Sequence, residues 1–574
     1  MTSSSRREFR RGACPRLGRL LLAAGLGLAG LVHVAAALLP HAPLIPTEQE
    51  LARLARVRAL LNSSTPTHRN PVHIVFYGQS ITQGPWWLEV AAELRRLYPH
   101  ANLRIENRAI SGFQDWALTR TVGADLVPIQ PDLVIFHAYG NDRGTDSLLA
   151  QLRAQTVSEV LLQTDHPHLN EALEEQTDPS KIRPDDHYAY RNYVPLPRHA
   201  DRHGACLARI RDAWKDYCRA TGVTPLSLQT DGVHPNADGY RLMAEFVLAY
   251  LQPAPPTVDP DDNERVRSAV LGRDIQWRDG MLQCDFTGST LMADLPAPLN
   301  GEVEVWIDGQ RAPAHQSLYS FSRVSPTHFS EWPALSQVGR GPALLEETWT
   351  FTPFNVAADG MNFAFRVHGS LTGFDGEGTN TARFVSNSGR VTIEPGDHWI
   401  PLSVYYSGRK PLPPGFQATW RVERRFLDPL PAGLAAPGDL HPRLRLVQGL
   451  PDGPHRLRLV QRGAGRPNLT ALRAYSPGGK ASLRDISTLP PADDRLRMIE
   501  TPDGPTVTWP ASFSGWDLVA ALELGEMPDW QTVPPQEFIS VRDQLQYRPA
   551  ENLPPRFFRL RAPLQGNSSL PTAK

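Results

Sequence analysis

Between residues 72 and 252 the chain alternates short apolar runs with longer amphipathic segments, and after residue 262 that alternation stops. "VHIVFY" (72–77), "LRIENRAI" (103–110), "DLVIFHAY" (132–139) and "SEVLLQTD" (158–165) read as strands. Near-continuous Val, Ile and Leu suit strands buried on both faces. "PWWLEVAAELRRLYP" (85–99), "HGACLARIRDAWKDYCRATG" (203–222) and "ADGYRLMAEFVLAYL" (237–251) read as helices. Pro85 is tolerated in a first turn, and Gly222 supplies a stop. This order predicts an α/β fold: a parallel sheet covered by helices on both faces, in three α/β/α layers over 72–253.

The proline-rich "QPAPPTVDPDD" (252–262) closes that unit. Beyond it, "EVEVWIDG", "NFAFRVHG", "ATWRVERRF" and "HRLRLVQRG" stand between clusters of Gly, Pro, Asp and Asn. Short strands punctuated in this way predict all-β sandwich-type modules. We expect one β region over 262–485, with a candidate break near 430–445, a small β module over 490–563, and a disordered tail over 564–574. At 574 residues the chain is too long for one core. Its 54 prolines thicken after residue 250, in keeping with loop-rich β structure. Residues 46–71 read as a short helix followed by a linker, "NSSTPTHRNP".

The first 45 residues read as a targeting segment. Six arginines precede an uncharged run, "LLLAAGLGLAGLVHVAAALL" (20–39), and none lies within it. That asymmetry keeps the N-terminus cytoplasmic and sends the rest outward. "SRREF" resembles a twin-arginine export signal, and Ala35 and Ala37 offer a cleavage site. A retained anchor remains the alternative, since twenty residues of helix span about 30 Å. Either reading places the chain in the periplasm, on the cell surface or outside the cell. A formal net charge of −1 excludes a general nucleic-acid binder. The four cysteines define no disulfide framework: in one continuous helix Cys206 and Cys218 would lie about 18 Å apart, too far to pair.

Four short pieces fall at predicted strand ends or just before a helix: "GQSIT" with Ser80, "AISGF" with Gly112, "HAYGND" with Asn141, and "TDGVHPNADG" with Asp231 and His234. Ligands of parallel sheets bind beyond the carboxyl ends of the strands, so topology brings the first three to one crevice. Acyl transfer needs a nucleophile, a base, an acid that orients the base, and donors for the developing oxyanion. Ser80 would attack, His234 would carry the proton, and Asp231, three residues away, would orient His234. The N–H groups of Ser80 and Gly112 and the amide of Asn141 would form the oxyanion hole.

These residues resemble the SGNH hydrolase superfamily, the GDSL-type esterases, over roughly residues 72–252. Its defining residues map onto Ser80, Gly112, Asn141 and His234, with Asp231 as the accompanying acid. Two departures are visible: Gln79 stands where the family has Asp, and the glycine of "AYGND" lies next to Asn141. The resemblance implies a three-layer α/β/α serine hydrolase that uses no cofactor and no metal. "TDHPH" (Asp165, His166, His168) and "PDDHYAY" (Asp185, Asp186, His187) have metal-like composition, but their spacing suits polar loops. Trp86, Trp87, His73 and His137 read as interior residues.

Nine of the thirteen tryptophans lie after residue 262, where they are either sandwich core or sugar platforms. The end, "VTWPASFSGWDLVAALELGEMPDWQTVPP" through "FFRLRAP", resembles small β modules that close exported proteins of some environmental bacteria. The expected function is an exported serine esterase removing acyl groups, above all acetyl, from carbohydrate. A lipid or thioester hydrolase, an O-acyltransferase on the same triad, and a non-catalytic surface-binding protein are the alternatives.

Overall fold

The computed structural model describes residues 38–561, apart from 138–141, 327–334, 336, 359–361, 397, 399–414, 439–441, 464, 488–495, 503, 511–516, 523–528, 542–543 and 551–556. Residues 1–37 of the proposed export segment, which hold its apolar run except Leu38 and Leu39, and the C-terminal tail from 562 therefore lie outside the described residues. Among the described residues no helix is long and apolar enough to cross a membrane.

The first part is a three-layer α/β/α domain. Its sheet comprises β1 (Pro71–Gly78), β2 (Asn102–Asn107), β3 (Leu133–His137), β4 (Glu159–Gln163) and β5 (Cys206–Ala208). The spatial order is β2-β1-β3-β4-β5, with every neighbour parallel. The chain moves from β1 to one side, then returns to place β3 on the other. That reversal leaves a crevice beyond the C-terminal ends of β1 and β3, which is where such sheets bind ligands. Side chains alternate between the two faces. Val75, Tyr77, Val134, Phe136, Val160 and Leu162 share one core with α5 (Asp115–Asp125), α6 (Asp142–Gln155) and α8 (Pro195–His203). On the other face Phe76 meets Trp86 of α4 (Trp86–Leu97) edge-on at 5.2 Å, and α10 (Ala237–Ala249) packs against α4 and α9 (Ile210–Thr221).

Two elements differ from the sequence reading. The helix expected over 203–222 is instead the short strand β5 followed by α9. Gly204, with φ +60°, ends α8, and Cys206 then pairs with Leu161 to complete the sheet. Three residues are too few to show a strand period, so the helical pattern that starts at Ile210 masked them. The segment before the sheet is two helices, α1 (Glu48–Ala52) and α2 (Ala55–Asn62). The Glu159 carboxylate accepts the N–H groups of Arg56 and Val57 at 2.9 and 2.8 Å, capping α2 and fixing it to β4.

The remainder is antiparallel β structure. The long strands Met281–Asp294 and Arg443–Arg462 pair at the centre of an eight-stranded sheet. A second sheet is built on Thr348–Phe354, Ala364–Gly369 and Ala418–Arg424. One apolar core runs from Ala269 to Ala474 and includes Trp349 and Trp420, whose rings stack 6.4 Å apart. A separate small core around Trp509, Leu518 and Tyr547 serves the last strands. Arg323 reaches from the sandwich to Asp125 of α5 at 2.6 Å.

Candidate active site

Ser80 follows β1, whose last residue, Gly78, has no room for a side chain. A Cβ at Gly78 would lie 2.3 Å from the carbonyl oxygen of His137 on β3 and 2.4 Å from Oγ1 of Thr82. Ser80 opens the four-residue helix α3 (Ser80–Gln83). Three neighbours hold this turn. Trp86 Nε1 donates to Ile81 O at 2.8 Å, and Asn107 Nδ2 donates to Thr82 O at 2.7 Å. The Tyr240 ring fills the space that a side chain at residue 84 would need.

Asp231 and His234 sit in the loop before α10. Asn236 caps that helix, its Oδ1 accepting from Asp238 N and Gly239 N, both at 3.1 Å. Asp231 Oδ1 accepts the N–H of Val233 at 3.0 Å and of His234 at 2.8 Å. Its other oxygen, Oδ2, lies 2.8 Å from His234 Nδ1. A carboxylate only accepts, so this contact puts the proton on Nδ1 and leaves Nε2 as an acceptor. Nε2 lies 2.9 Å from Ser80 Oγ. Hydrogen bonds from the His234 N–H and side chain and from the Val233 N–H hold the Asp231 carboxyl down at about 2, ionised at any pH near neutrality. The His234 side chain is 37% exposed and that of Asp231 56%, so the site is shallow and open.

Gly112 lies in a turn in which Phe113 N donates to Ile110 O at 3.0 Å. Its φ of +78° is what a glycine at the third position of such a turn supplies. Ile110 N donates to Gly78 O at 2.9 Å, which ties this turn to the end of β1. A Cβ at Gly112 would meet nothing, so the space before it is open. Among the described residues no acceptor is recorded for the N–H of Ser80 or of Gly112. Asn141 lies outside the described residues.

The sequence reading missed the supports behind the site. Asp115 is fully buried at the start of α5 and accepts from Thr145 N and Oγ1 of α6, both at 3.1 Å. Burial pushes its pKa up to about 6. His166 Nε2 contacts Val233 O at 2.8 Å, and Leu169 N donates to Gly232 O at 2.8 Å. The loop after β4 thus holds the loop of Asp231 and His234. Leu169 has φ +50° and is 58% exposed, an apolar side chain beside Gly232 at the rim. No local sequence signal marks these residues, because each acts on a partner distant in sequence.

His137 Nε2 lies 2.9 Å from Asp165 Oδ1, and Arg191 Nε donates to Asp165 Oδ2 at 2.9 Å, all buried. His73 meets Glu106 at 2.7 Å. Trp86 is core, while Trp87 is partly exposed. Asp186 accepts from Arg183 N at 3.0 Å, ahead of α7 (His187–Tyr193), and the Asp185 side chain is largely exposed. Among the described residues no three His, Cys, Asp or Glu side chains are grouped to hold a metal ion. Cys206, Cys218 and Cys284 are buried free thiols.

No family model matches the chain, and no curated protein matches it. Solved structures similar to part of it include a putative GDSL-like lipase from Parabacteroides merdae, 17% identical, with a TM-score of 0.27, covering 32% of this chain and 96% of that one. An acetylxylan esterase from Geobacillus stearothermophilus is 19% identical, with a TM-score of 0.26, and covers 31% of this chain and 93% of its own. An α/β hydrolase from the metagenome of Lake Arreo, Spain, is 20% identical, with a TM-score of 0.27, and covers 32% of this chain and 98% of its own.

Proposed function

We propose that the protein is an exported serine esterase that removes acyl groups, above all acetyl, from carbohydrate. The observation that carries this reading is the line from Ser80 Oγ through His234, at 2.9 Å, to Asp231, at 2.8 Å. Ser80 Oγ attacks the ester carbonyl as its proton passes to His234 Nε2. The imidazolium so formed is stabilised by the ionised Asp231. The N–H groups of Ser80 and Gly112, with the amide of Asn141, receive the oxyanion. Each such donor is worth about 3–4 kcal/mol of barrier. His234 then protonates the leaving alcohol, and water reverses the sequence to release the acid. No step needs a cofactor or a metal.

A shallow site suits a small acyl group on a bulky alcohol, which supports the carbohydrate reading. Export rests on the arginine-flanked apolar N-terminus. The exposed Leu169 and Val233 beside His234 favour a second reading, a longer acyl chain resting on that rim. One experiment separates them: acetate release from acetylated polysaccharides against turnover of simple esters of increasing chain length. Acetyl esters should be preferred. A serine-directed phosphonylating reagent should inactivate the enzyme with the label on Ser80, and exhaustive chelation should not. Activity lost on chelation, with no label on Ser80, would refute the mechanism.

A further inference from the structure

Leu169 combines two unfavourable features. Its side chain is 58% exposed, and its backbone has a φ of +50°. Positive φ crowds any residue with a Cβ, so glycine or asparagine is the usual occupant. The surroundings impose this conformation. Leu169 N donates to Gly232 O at 2.8 Å and to Gln229 Oε1 at 3.0 Å. Gln229 is buried, and its Nε2 donates to Pro167 O at 2.8 Å and to Pro225 O at 2.9 Å, which fixes the amide. Gln229 also pairs with Pro235 across the base of the loop that carries Asp231 and His234.

The side chain lies on that loop. A Cβ at Gly232 would be 2.2 Å from Leu169 Cδ2, so the leucine rests against the Gly232 Cα. Gly232 has a φ of +84° and stands between Asp231 and Val233. Val233, next to His234, is itself 37% exposed. Holding Leu169 in this way does little for folding. An exposed apolar side chain buries little area, while the backbone conformation costs energy. Strain that persists beside a reactive loop points to a role in function.

The path of the proton decides which part of an ester meets Leu169. At the tetrahedral stage the former carbonyl carbon carries four groups. One is Ser80 Oγ. The oxyanion points to the N–H groups of Ser80 and Gly112. The alcohol oxygen lies within hydrogen-bond reach of His234 Nε2, which gives it a proton as the carbon–oxygen bond breaks. The acyl chain takes the remaining direction, away from these three. The leaving alcohol is therefore on the side of the His234 loop, where Leu169 and Val233 stand. We infer that Leu169 is a specificity residue for the leaving alcohol, its methyl groups meeting the C–H face of a ring-shaped alcohol such as a sugar. A pyranose presents such a face between its hydroxyls, and a small alcohol such as methanol has none. This role rests on the esterase reading of Ser80.

The test compares two pairs of esters on the full chain. Methyl and cyclohexyl acetate vary the alcohol, while methyl acetate and methyl hexanoate vary the acyl group. Leu169→Gly removes the side chain and suits the positive φ, and Leu169→Asn tolerates that φ with a polar side chain. In both variants the kcat/KM ratio of cyclohexyl to methyl acetate should fall about fivefold to tenfold, mostly through KM, while the ratio of hexanoate to acetate changes by less than about twofold. Melting temperature should not fall. An unmoved cyclohexyl ratio, a shift confined to the acyl pair, or a parallel loss on every ester with a lower melting temperature would each overturn the assignment. A parent protein that turns over none of these esters would sink the esterase reading and this role with it. A parent active on them, with ratios unmoved in the variants, would sink this role alone.

Discussion

His166, buried just beyond β4, contacts the backbone carbonyl of Val233 at 2.8 Å through Nε2, and so anchors the residue next to His234. A carbonyl only accepts, so Nε2 carries the proton. Burial pushes the His166 pKa down to about 3, and the ring stays neutral through the range where an esterase works. His166 is therefore a positioning residue. His166→Ala should lower kcat about tenfold, in line with the roughly 1 kcal/mol that loss of a hydrogen bond to a partly buried carbonyl costs, with KM nearly unchanged. Steady-state kinetics with a small acetyl ester reads this split. An unaltered kcat would mean that the loop stands without His166.

Ser80→Ala should leave the fold intact and reduce ester turnover by roughly 10^4–10^6-fold. Ser80 is only partly buried, and its Oγ contact is to the partly exposed His234, so little stability is at stake. Melting temperature and turnover, measured on one preparation, test both halves. A folded variant with near wild-type turnover would remove Ser80 from the mechanism.

Asp231 orients His234 through the 2.8 Å contact between Oδ2 and Nδ1. With its carboxyl at about 2, Asp231 is ionised across the assay range and does not shape the acid limb. That limb of kcat/KM should follow one proton, on the free enzyme's base. Asp231→Asn should reverse the preferred tautomer of His234 and cost up to about 10^4-fold. A limb of slope two, or a variant as active as wild type, would contradict the assignment.

Asp261, in the linker before the sandwich, is a stability switch at low pH. Burial alone would raise its pKa, but Arg443 at 3.2 Å and Arg473 at 3.1 Å outweigh burial and hold it at about 2. Its folded value lies below the unfolded value of about 3.9. The stabilisation is therefore complete above about pH 4 and is lost as pH falls through about 2. Asp261→Asn should lower stability by about 2–3 kcal/mol at pH 7, with the difference shrinking toward pH 2. Thermal unfolding of the two proteins between pH 2 and 7 would check the sign and the window.

Some of this protein is written in local sequence. The buried strands β1, β3 and β4 announce themselves because continuous apolar runs have few other places to go. The Asp231–His234 contact is legible because three residues of loop suffice to bring the two side chains together. The pairing of Ser80 with His234, 154 residues apart, can be expected from strand order but exists only once the turn after β1 meets the loop before α10. The strand β5 was invisible because three residues carry no period, and only pairing with β4 makes them extended. The roles of His166, Asn107 and Asp115 were invisible for a related reason. Each satisfies a polar group supplied by a distant element, and a hydrogen bond of that kind leaves no pattern along the chain.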